Sequence, residues 1–377
     1  MRVCYIANSR VPSRAANTNH VLNMSSAFVA AGADLTLIAR GDRTPPETIF
    51  EEFGLPHRFR FDLYPQRRPA TLSRLLFLAH IRRSLGRVRD GAPFVFGRSC
   101  YGLLFGVPGA MPMAYDVHSY PAGRTLERME ALLFKRPNLL FVTSTTRALA
   151  DHYEGIYPHM RGRFMVAPNG APQPDIAGVR TRAAGEPLNV SYMGHLYAGR
   201  GIDLILELAR RKPGVNFNIV GGEDADVRHW AAQAPANVTL HGYVRPGQLK
   251  AHYEKADVCL APYQDTVAVA GGSGDNARWM SPLKIFEYMS YGKAIIASDS
   301  PIIREVLTPG RNALLCPAND VAAWLAAIDK LEAEPGAVER IARVALADSR
   351  AIYNWPARAR SILERGAEEA AAFARRR

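Results

Sequence analysis

The stretch Ser281-Pro-Leu-Lys-Ile-Phe-Glu-Tyr-Met-Ser-Tyr-Gly-Lys-Ala-Ile-Ile-Ala-Ser298 combines a helical segment with an apolar strand that follows it at once. We expect Ser281 to cap the helix, because serine oxygens accept the free N–H groups of a first turn. Pro282 suits that first turn, where no N–H is needed. The run Ala294–Ala297 is typical of a strand covered on both faces. A helix leading into such a strand indicates an α/β fold.

The same alternation of short apolar runs and amphipathic helices extends through the whole chain, which has 377 residues and is 48% hydrophobic. It predicts two Rossmann-like parallel-sheet domains facing a cleft, each with enough apolar material for its own core. In the first half we expect strands at Val3–Ala7, Leu35–Ile38, Phe94–Phe96, Met113–Tyr115, Leu139–Val142 and Arg163–Val166, and helices at Asn19–Ala31 and Arg124–Lys135. In the second half we expect strands at Leu188–Met193, Asn216–Val220, Val238–Leu240, Val258–Leu260, Ala294–Ala297 and Ala313–Leu315.

A proline-rich, polar stretch separates the two halves and predicts a connection between domains. We place the first domain at 1–170, the linker at 171–187 and the second domain at 188–345. Residues 346–377 predict a final helix. Pattern alone leaves two alternatives for it, packing back on the first domain or lying on the surface with a solvated basic face.

Composition limits where the chain acts. Its four cysteines include no Cys-x-x-Cys pair, which fits a reducing cytoplasm. The N-terminal run Val3–Ala7 is too short for a signal peptide, and no 18-residue apolar run predicts a spanning helix. Residues 1–180 hold 23 basic and 13 acidic side chains, whereas the remainder holds 24 and 22, so the net charge of +12 lies mostly in the first half. We therefore expect that half to face something anionic.

The start of the Ser281 helix follows a glycine-rich loop at 270–275, which predicts free backbone N–H groups at the positive end of a helix dipole. Such a terminus favours a diphosphate, and Lys284 adds a cation. Glu287 could accept hydrogen bonds from the vicinal hydroxyls of a ribose. The alternative is an amphipathic helix whose Lys284 and Glu287 face solvent.

The predicted strand Leu188–Met193 is followed by Gly194-His195-Leu196 and then by Gly199-Arg200-Gly201. This glycine-containing turn carries two potential cations, His195 and Arg200. Arg200 is always charged and binds phosphate through two N–H groups, whereas His195 is charged only when protonated. Arg200 is therefore the stronger candidate for a phosphate contact.

Together with Ile219-Val220-Gly221-Gly222 and His241-Gly242-Tyr243-Val244, these motifs resemble the donor domain of glycosyltransferase family 4, most densely over 188–317. The resemblance implies a GT-B fold and a retaining, metal-independent transfer of sugar from a nucleotide diphosphate-sugar, with no cofactor. It implies that the basic residues contact the pyrophosphate, that the His241–Val244 segment lies along the base, and that the glutamate binds ribose. The donor site implied comprises Gly194, His195, Arg200, Gly221, Tyr243, Ser281, Pro282, Leu283, Lys284 and Glu287.

Two positions depart from the family pattern. The family often has arginine where His195 stands, and glutamate eight residues before Glu287, where this chain has Trp279. We expect the loop 268–281, with Asp275 and Asn276, to supply groups for the sugar instead.

The first half also resembles the family, in Pro168-Asn169-Gly170 and in Tyr115-Asp116-Val117-His118. His118 is implied to hydrogen-bond the transferred sugar, and is with Arg200 and Lys284 one of the predicted catalytic residues. Asp116 either acts beside it or caps the next turn. The loop Ser9–His20 resembles the acceptor loop but lacks its Gly-Gly. The acceptor residues predicted are Arg14, Asn17, Thr18, Asn19, Asp116 and His118.

Residues 58–89 contain nine arginines and one acid, interleaved with apolar side chains. At helical spacing this pattern suits a helix lying on anionic lipid, and the alternative is a core-facing helix with a solvated basic side. We expect peripheral binding at the inner face of the plasma membrane and a glycan or lipid-linked acceptor of the cell envelope or exopolysaccharide. The arginines predicted to contact lipid are Arg74, Arg82, Arg83 and Arg87.

Three other classes remain open at this point. A nucleotide-sugar epimerase would need acid–base carboxylates that the sequence does not reveal. A nucleic-acid-binding protein fits the charge, yet the chain shows no zinc, helix-turn-helix or RNA-binding motif. A catalytically silent GT-B subunit is suggested by His195 and by Trp279.

Overall fold

The computed structural model describes residues 1–13, 15–65, 70–88, 93–121, 123–183, 185–267 and 277–376. The chain forms two compact units: Met1–Pro168 with Trp355–Arg377, and Asn169–Asn354. The predicted linker 171–187 is thus counted within the second unit. The Gly-rich loop 270–275, together with Asp275, Asn276 and Arg14, lies outside the described residues.

The first unit is built on a parallel sheet with the strand order β3-β2-β1-β4-β5-β6-β7 in its described residues. Its central strands are apolar on both faces because helices cover both sides. The strands are β1 (Arg2–Val11), β2 (Asp34–Gly41), β3 (Arg60–Pro65), β4 (Phe94–Gly97), β5 (Met113–Val117), β6 (Leu139–Ser144) and β7 (Phe164–Val166). The helices are α1 (Ala16–Ala30), α2 (Pro46–Glu52), α3 (Ala70–Gly86), α4 (Cys100–Gly106), α5 (Arg124–Phe134) and α6 (Arg147–Ile156), with a 3₁₀ turn at Pro158–Met160.

The second unit has its own parallel sheet, ordered β10-β9-β8-β11-β12-β13 in the part that the structure describes. Trp324 and Phe217 are among the largest side chains in its core. Its strands are β8 (Asn189–Met193), β9 (Asn216–Val220), β10 (Val238–Gly242), β11 (Val258–Ala261), β12 (Ala294–Ser298) and β13 (Leu314–Cys316). Its helices are α7 (Ile202–Arg211), α8 (Asp224–Ala231), α9 (Lys250–Lys255), α10 (Leu283–Ser290), α11 (Pro301–Arg304), α12 (Val321–Ala333) and α13 (Pro335–Ala351), with a 3₁₀ turn at Pro246–Gln248.

The final helix, α14 (Trp355–Arg375), is grouped with the first unit. It begins at Trp355 and not at 346, because α13 continues through that position. Leu363 and Ile362 of α14 are buried, whereas Arg360 is exposed. The helix therefore has one face in the core of the first unit.

All predicted strands are found, each end within four residues of its predicted position, which confirms the α/β class. The sequence prediction missed β3, which lies at one edge of the first sheet and, among the described residues, pairs with β2 alone. Its residues are mostly half-buried and carry Arg60 and Asp62, so no apolar run marks it. The helix predicted from Asn19 begins three residues earlier, at Ala16.

Candidate functional site

The candidate site of the second unit lies at the carboxyl edge of its sheet. β8 and β11 are neighbours there, while the chain leaves β8 towards β9 and leaves β11 towards β12, which makes a switch point of the kind that binds ligands. The Gly194 N–H donates to the carbonyl of Val220 at 2.9 Å, and the Gly221 N–H to that of Gly242 at 2.7 Å. Gly221 has φ +121°, and a Cβ on it would collide with the Gly194 carbonyl. Glycine is therefore required where these loops meet.

Two of the predicted phosphate-binding cations lie over aromatic rings at this edge. Lys284 Nζ is 3.8 Å from the ring centre of Tyr192 and 5.0 Å from that of Tyr263, and the Arg200 guanidinium is 5.3 Å from the Tyr263 ring. Burial and the charge of Arg200 hold the pKa of Lys284 well below its usual range. Within the described residues, the buried Nε of Arg200 has no hydrogen-bond partner. Among the described residues, the charge of Glu287 acts on Lys284 but does not offset the effects of burial and of Arg200 on its pKa.

His195 lies beside these cations but does not add to their charge. Burial, followed by the charges of Arg200 and Lys284, lowers its pKa. Its ring stacks on Tyr197 at 4.8 Å, and its carbonyl accepts a hydrogen bond of 2.6 Å from the Tyr192 hydroxyl. At neutral pH this histidine is an uncharged, packed ring.

The expected cap of α10 is wrong. The helix begins at Leu283, its N-cap is Pro282, and within the described residues no side chain caps it. Ser281 instead contacts Asn169, whose side-chain amide donates to the Ser281 carbonyl at 2.8 Å. Asn169 is 5% exposed, and among the described residues its Oδ1 has no hydrogen-bond partner. The first N–H groups of α10 are therefore not occupied by a serine cap.

Glu287 lies one turn after Lys284 on α10. Burial raises the pKa of its carboxyl, while a 3.1 Å hydrogen bond from the Tyr253 hydroxyl to Oε2 and the charge of Lys284 oppose this rise. Tyr253 is itself fixed by stacking on Tyr291, with ring centres 4.0 Å apart. The glutamate is thus held by one oxygen. Tyr243, the predicted donor-site residue of the His241–Val244 segment, directly follows β10 and is 37% exposed.

In the first unit, Asp116 lies in β5 and His118 directly follows that strand; the two are in contact, with His118 Nε2 2.8 Å from Asp116 Oδ2. Asp116 does not cap a turn. Its Oδ1 accepts hydrogen bonds from the Thr143 hydroxyl at 2.7 Å and from Arg358 at 2.8 Å. Burial alone would raise the pKa of Asp116, but Arg358 and His118 hold it well below its usual range.

His20, Asp116 and His118 place one potential metal-ligand atom each within 4.8 Å of one another. The His20 ring lies edge-on to His118 at 4.5 Å, and neither of its nitrogens has a hydrogen-bond partner in the described part of the chain. Burial, followed by the charge of Arg98, lowers the pKa of His118 to about 4. The cations Arg98 and Arg358 around this trio make it a poor site for a divalent ion, because they repel the metal charge.

The predicted acceptor residues Asn17, Thr18 and Asn19 lie in the first turn of α1. Asn17 is exposed, whereas Thr18 is buried and its hydroxyl donates to the Arg10 carbonyl at 3.0 Å. The Asn19 Oδ1 accepts a hydrogen bond from Asn23 at 2.7 Å. Of the three, Asn17 presents its side chain most openly.

The arginine-rich segment contains α3, which has both a core-facing side and an apolar exposed side. Phe77, Ile81 and Leu85 are buried, whereas Leu75 is 62% and Leu72 50% exposed. Among the described residues, no helix has the length and apolar character needed to cross a membrane. The predicted lipid-contacting arginines are all exposed: Arg74, Arg82, Arg83 and Arg87.

Several residues of these sites were missed by sequence reasoning. Tyr192, Tyr253 and Tyr263 look like ordinary core aromatics in sequence, and only the fold brings them against Lys284 and Glu287. Tyr192 and Tyr263 lie near the carboxyl ends of predicted strands, where ligands bind, and this position could have indicated that they belong to the site.

Comparison with known proteins agrees with this geometry. Residues 187–334 match the family model described as Glycosyl transferases group 1. The fold is similar to that of sucrose-phosphate synthase from Thermosynechococcus elongatus (TM-score 0.71, 17% identity, covering 98% of this chain and 99% of that one). It is also similar to Anabaena HepE in complex with UDP (0.69, 16%, 98% and 100%) and to a mutant of TarM from S. aureus in complex with Fondaparinux, alpha-GlcNAc-glycerol and UDP (0.71, 11%, 98% and 99%). A search of curated protein sequences found no match.

Proposed function

We propose that this chain, a glycosyltransferase of GT-B architecture whose residues 187–334 are of the group 1 type, transfers a sugar from a nucleotide diphosphate-sugar to a glycan or lipid-linked acceptor. The sequence predictions of this fold and enzyme class are confirmed by the family match and by the shared fold. The observation that carries the finer proposal is the grouping of Arg200, Lys284 and Glu287 at one edge of the second sheet.

The charges of this group suit a sugar nucleotide. Within the described residues, Glu287 only partly offsets the effects of burial and of Arg200 on the pKa of Lys284, and a diphosphate would supply further negative charge. The Tyr253 hydroxyl holds Oε2 of Glu287, and in our proposal Oε1 accepts hydrogen bonds from the ribose hydroxyls. We take UDP-sugars as the first donors to test, because the HepE and TarM structures contain UDP.

We infer a retaining reaction that needs no metal. The bond between the sugar anomeric carbon and the diphosphate oxygen breaks, and the acceptor oxygen bonds to the same face of that carbon. The leaving diphosphate takes the proton of the acceptor hydroxyl, and Arg200 and Lys284 stabilise its negative charge. His118 hydrogen-bonds the transferred sugar.

A thermal-shift screen with UDP, GDP, ADP and their sugars tests the donor site. A nucleotide at one hundred times its Kd stabilises the folded protein by about 2.7 kcal/mol. We expect this stabilisation with one nucleotide family, its loss in Glu287→Gln, and its retention in the control Glu339→Gln on α13. If no nucleotide stabilises the wild type, the donor site is refuted and a silent subunit is favoured.

Product analysis by NMR tests the chemistry. The glycosidic bond formed should have the anomeric configuration of the donor, and EDTA should leave the rate unchanged. An inverted product, or activity abolished by EDTA and restored by a divalent ion, would contradict the inferred reaction. Interconversion of free nucleotide sugars without transfer would indicate an epimerase.

We also propose that the first unit binds anionic membrane surfaces, such as the inner face of the plasma membrane, through α3. Its exposed Leu72 and Leu75 alternate with exposed arginines, so apolar contact and charge attraction act on one surface. Cosedimentation with phosphatidylglycerol vesicles at low salt tests this. Each arginine near a charged surface contributes about 1 kcal/mol, so Arg83→Glu should weaken binding about fivefold or more. Arg128→Glu on α5 is the matched control, and equal binding by both variants would refute the proposal.

A further inference from the structure

A buried arginine of α14 reaches the carboxylate that holds His118. The Arg358 side chain is 2% exposed, and its Nη2 lies 2.8 Å from Asp116 Oδ1. Its Nε donates to the carbonyl of Ala167 at 3.1 Å, and its Nη1 lies 3.1 Å from Met24 Sδ of α1. These contacts fix the guanidinium from three elements of the first unit.

The bonds around Asp116 determine which nitrogen of His118 carries the proton. An ionised carboxylate only accepts hydrogen bonds, so the 2.8 Å contact with Oδ2 requires a proton on His118 Nε2. Thr143 and Arg358 both donate to the other oxygen. In a neutral ring, Nδ1 is then left as the hydrogen-bond acceptor.

We propose that Arg358 is a positioning residue for His118: it keeps Asp116 ionised and oriented, so that His118 stays in the Nε2–H form and presents Nδ1 to a hydroxyl of the transferred sugar. The inference rests on the proposed function, in which His118 contacts that sugar. No sequence motif predicted this role, because Arg358 is 242 residues from Asp116.

The physical reason is the cost of a buried charge. Without Arg358, Asp116 would be a buried carboxylate that has lost its closest cation, which is strongly unfavourable. It would then take a proton or move, and a protonated carboxyl no longer requires a donor at His118 Nε2. His118 would lose its fixed tautomer and its orientation.

The test uses full-length Arg358→Met, Arg358→Lys and Thr143→Val, with Arg360→Met, exposed on the same helix, as the control. Nitrogen-15 NMR of the histidine rings, with His118→Gln for assignment, reports the tautomer without donor or acceptor. Steady-state kinetics report kcat and KM for the nucleotide sugar. Thr143→Val removes the second donor to Asp116 Oδ1 and keeps the ion pair, and Arg358→Lys tests the role of Arg358 if Arg358→Met does not fold.

We expect wild type and Arg360→Met to show the Nε2–H tautomer and equal kinetics. Arg358→Met should show a mixture of tautomers, and its kcat should fall roughly tenfold or more. Its KM for the nucleotide sugar should stay within about twofold of wild type, because the contact with the sugar is disturbed and nucleotide binding is not. Arg358→Lys should be intermediate, and Thr143→Val should change in the same direction by a smaller factor.

An unchanged tautomer in folded Arg358→Met, or in Arg358→Lys if the first variant is unfolded, would overturn the proposal. An equal kcat in those variants would overturn it as well. If the wild type transfers no sugar, the proposed function fails separately, and the tautomer measurement still decides whether Arg358 sets the state of His118.

Discussion

Replacing Glu130 by glutamine will change the pH dependence of stability in the first unit. Glu130 is 2% exposed on α5, and its two oxygens accept hydrogen bonds from the hydroxyls of Tyr115 at 2.6 Å and Tyr153 at 2.8 Å. Burial raises the pKa of its carboxyl from 4.5 to about 7, against the effect of the two tyrosines. The folded state therefore holds a proton on Glu130 that the unfolded state releases at lower pH.

The direction and size of the effect follow from this difference. Because the folded pKa is the higher one, the group stabilises the fold fully below pH 4.5, and this contribution is lost as the pH rises through 7. At about 1.36 kcal/mol per pKa unit the total is about 3.4 kcal/mol, of which about 2.5 kcal/mol falls between pH 5 and pH 8. Glutamine does not titrate, so Glu130→Gln lacks this component.

Guanidinium denaturation of the full chain at several pH values, with peptide-resolved hydrogen exchange over α5, measures the effect. We expect the stability of Glu130→Gln relative to wild type to increase by about 2.5 kcal/mol from pH 5 to pH 8. A constant difference between Glu130→Gln and wild type across this pH range would refute the reasoning.

Two further changes test the second unit. Tyr253→Phe should raise the KM for the donor roughly threefold to tenfold with kcat nearly unchanged, because it removes one hydrogen bond to Glu287. An unchanged KM in steady-state kinetics would show that Tyr253 does not hold Glu287. Gly201→Ala should lower the free energy of unfolding by about 1 kcal/mol or more, because Gly201 has φ +71° and a Cβ there would collide with the Pro262 carbonyl. Gly214→Ala is the control, since no atom lies within 4 Å of a Cβ at that position. Equal denaturation midpoints for the two variants would contradict this prediction.

The sequence alone determined the fold class and the order of its elements. Parallel strands that are buried on both faces consist of continuous apolar runs, and such a run can be recognised in the sequence of each strand by itself. Ala294–Ser298 is an example, because all its residues are buried. The edge strand β3 escaped because Arg60 and Asp62 interrupt its apolar residues, so that no continuous apolar run marks it. The apolar pattern alone does not reveal such a strand.

The positions of the candidate site residues were also predictable in outline. Gly194, Arg200, Lys284 and Glu287 follow strands or begin a helix, and the carboxyl ends of parallel strands share one edge. The cap assigned to Ser281 was wrong, because a local capping pattern cannot show that Asn169, 112 residues away, contacts that serine.

Only the tertiary structure decided the chemical state of these residues. The pairing of Arg358 with Asp116, and the hydrogen bond from Tyr253 to Glu287, join positions 242 and 34 residues apart. Such partners depend on sheet register and helix packing, which bring distant side chains within hydrogen-bonding distance, and burial and these partners then shift their pKa. A sequence records which residues are apolar or charged, whereas the dielectric and the partners around each charge exist only in the folded chain.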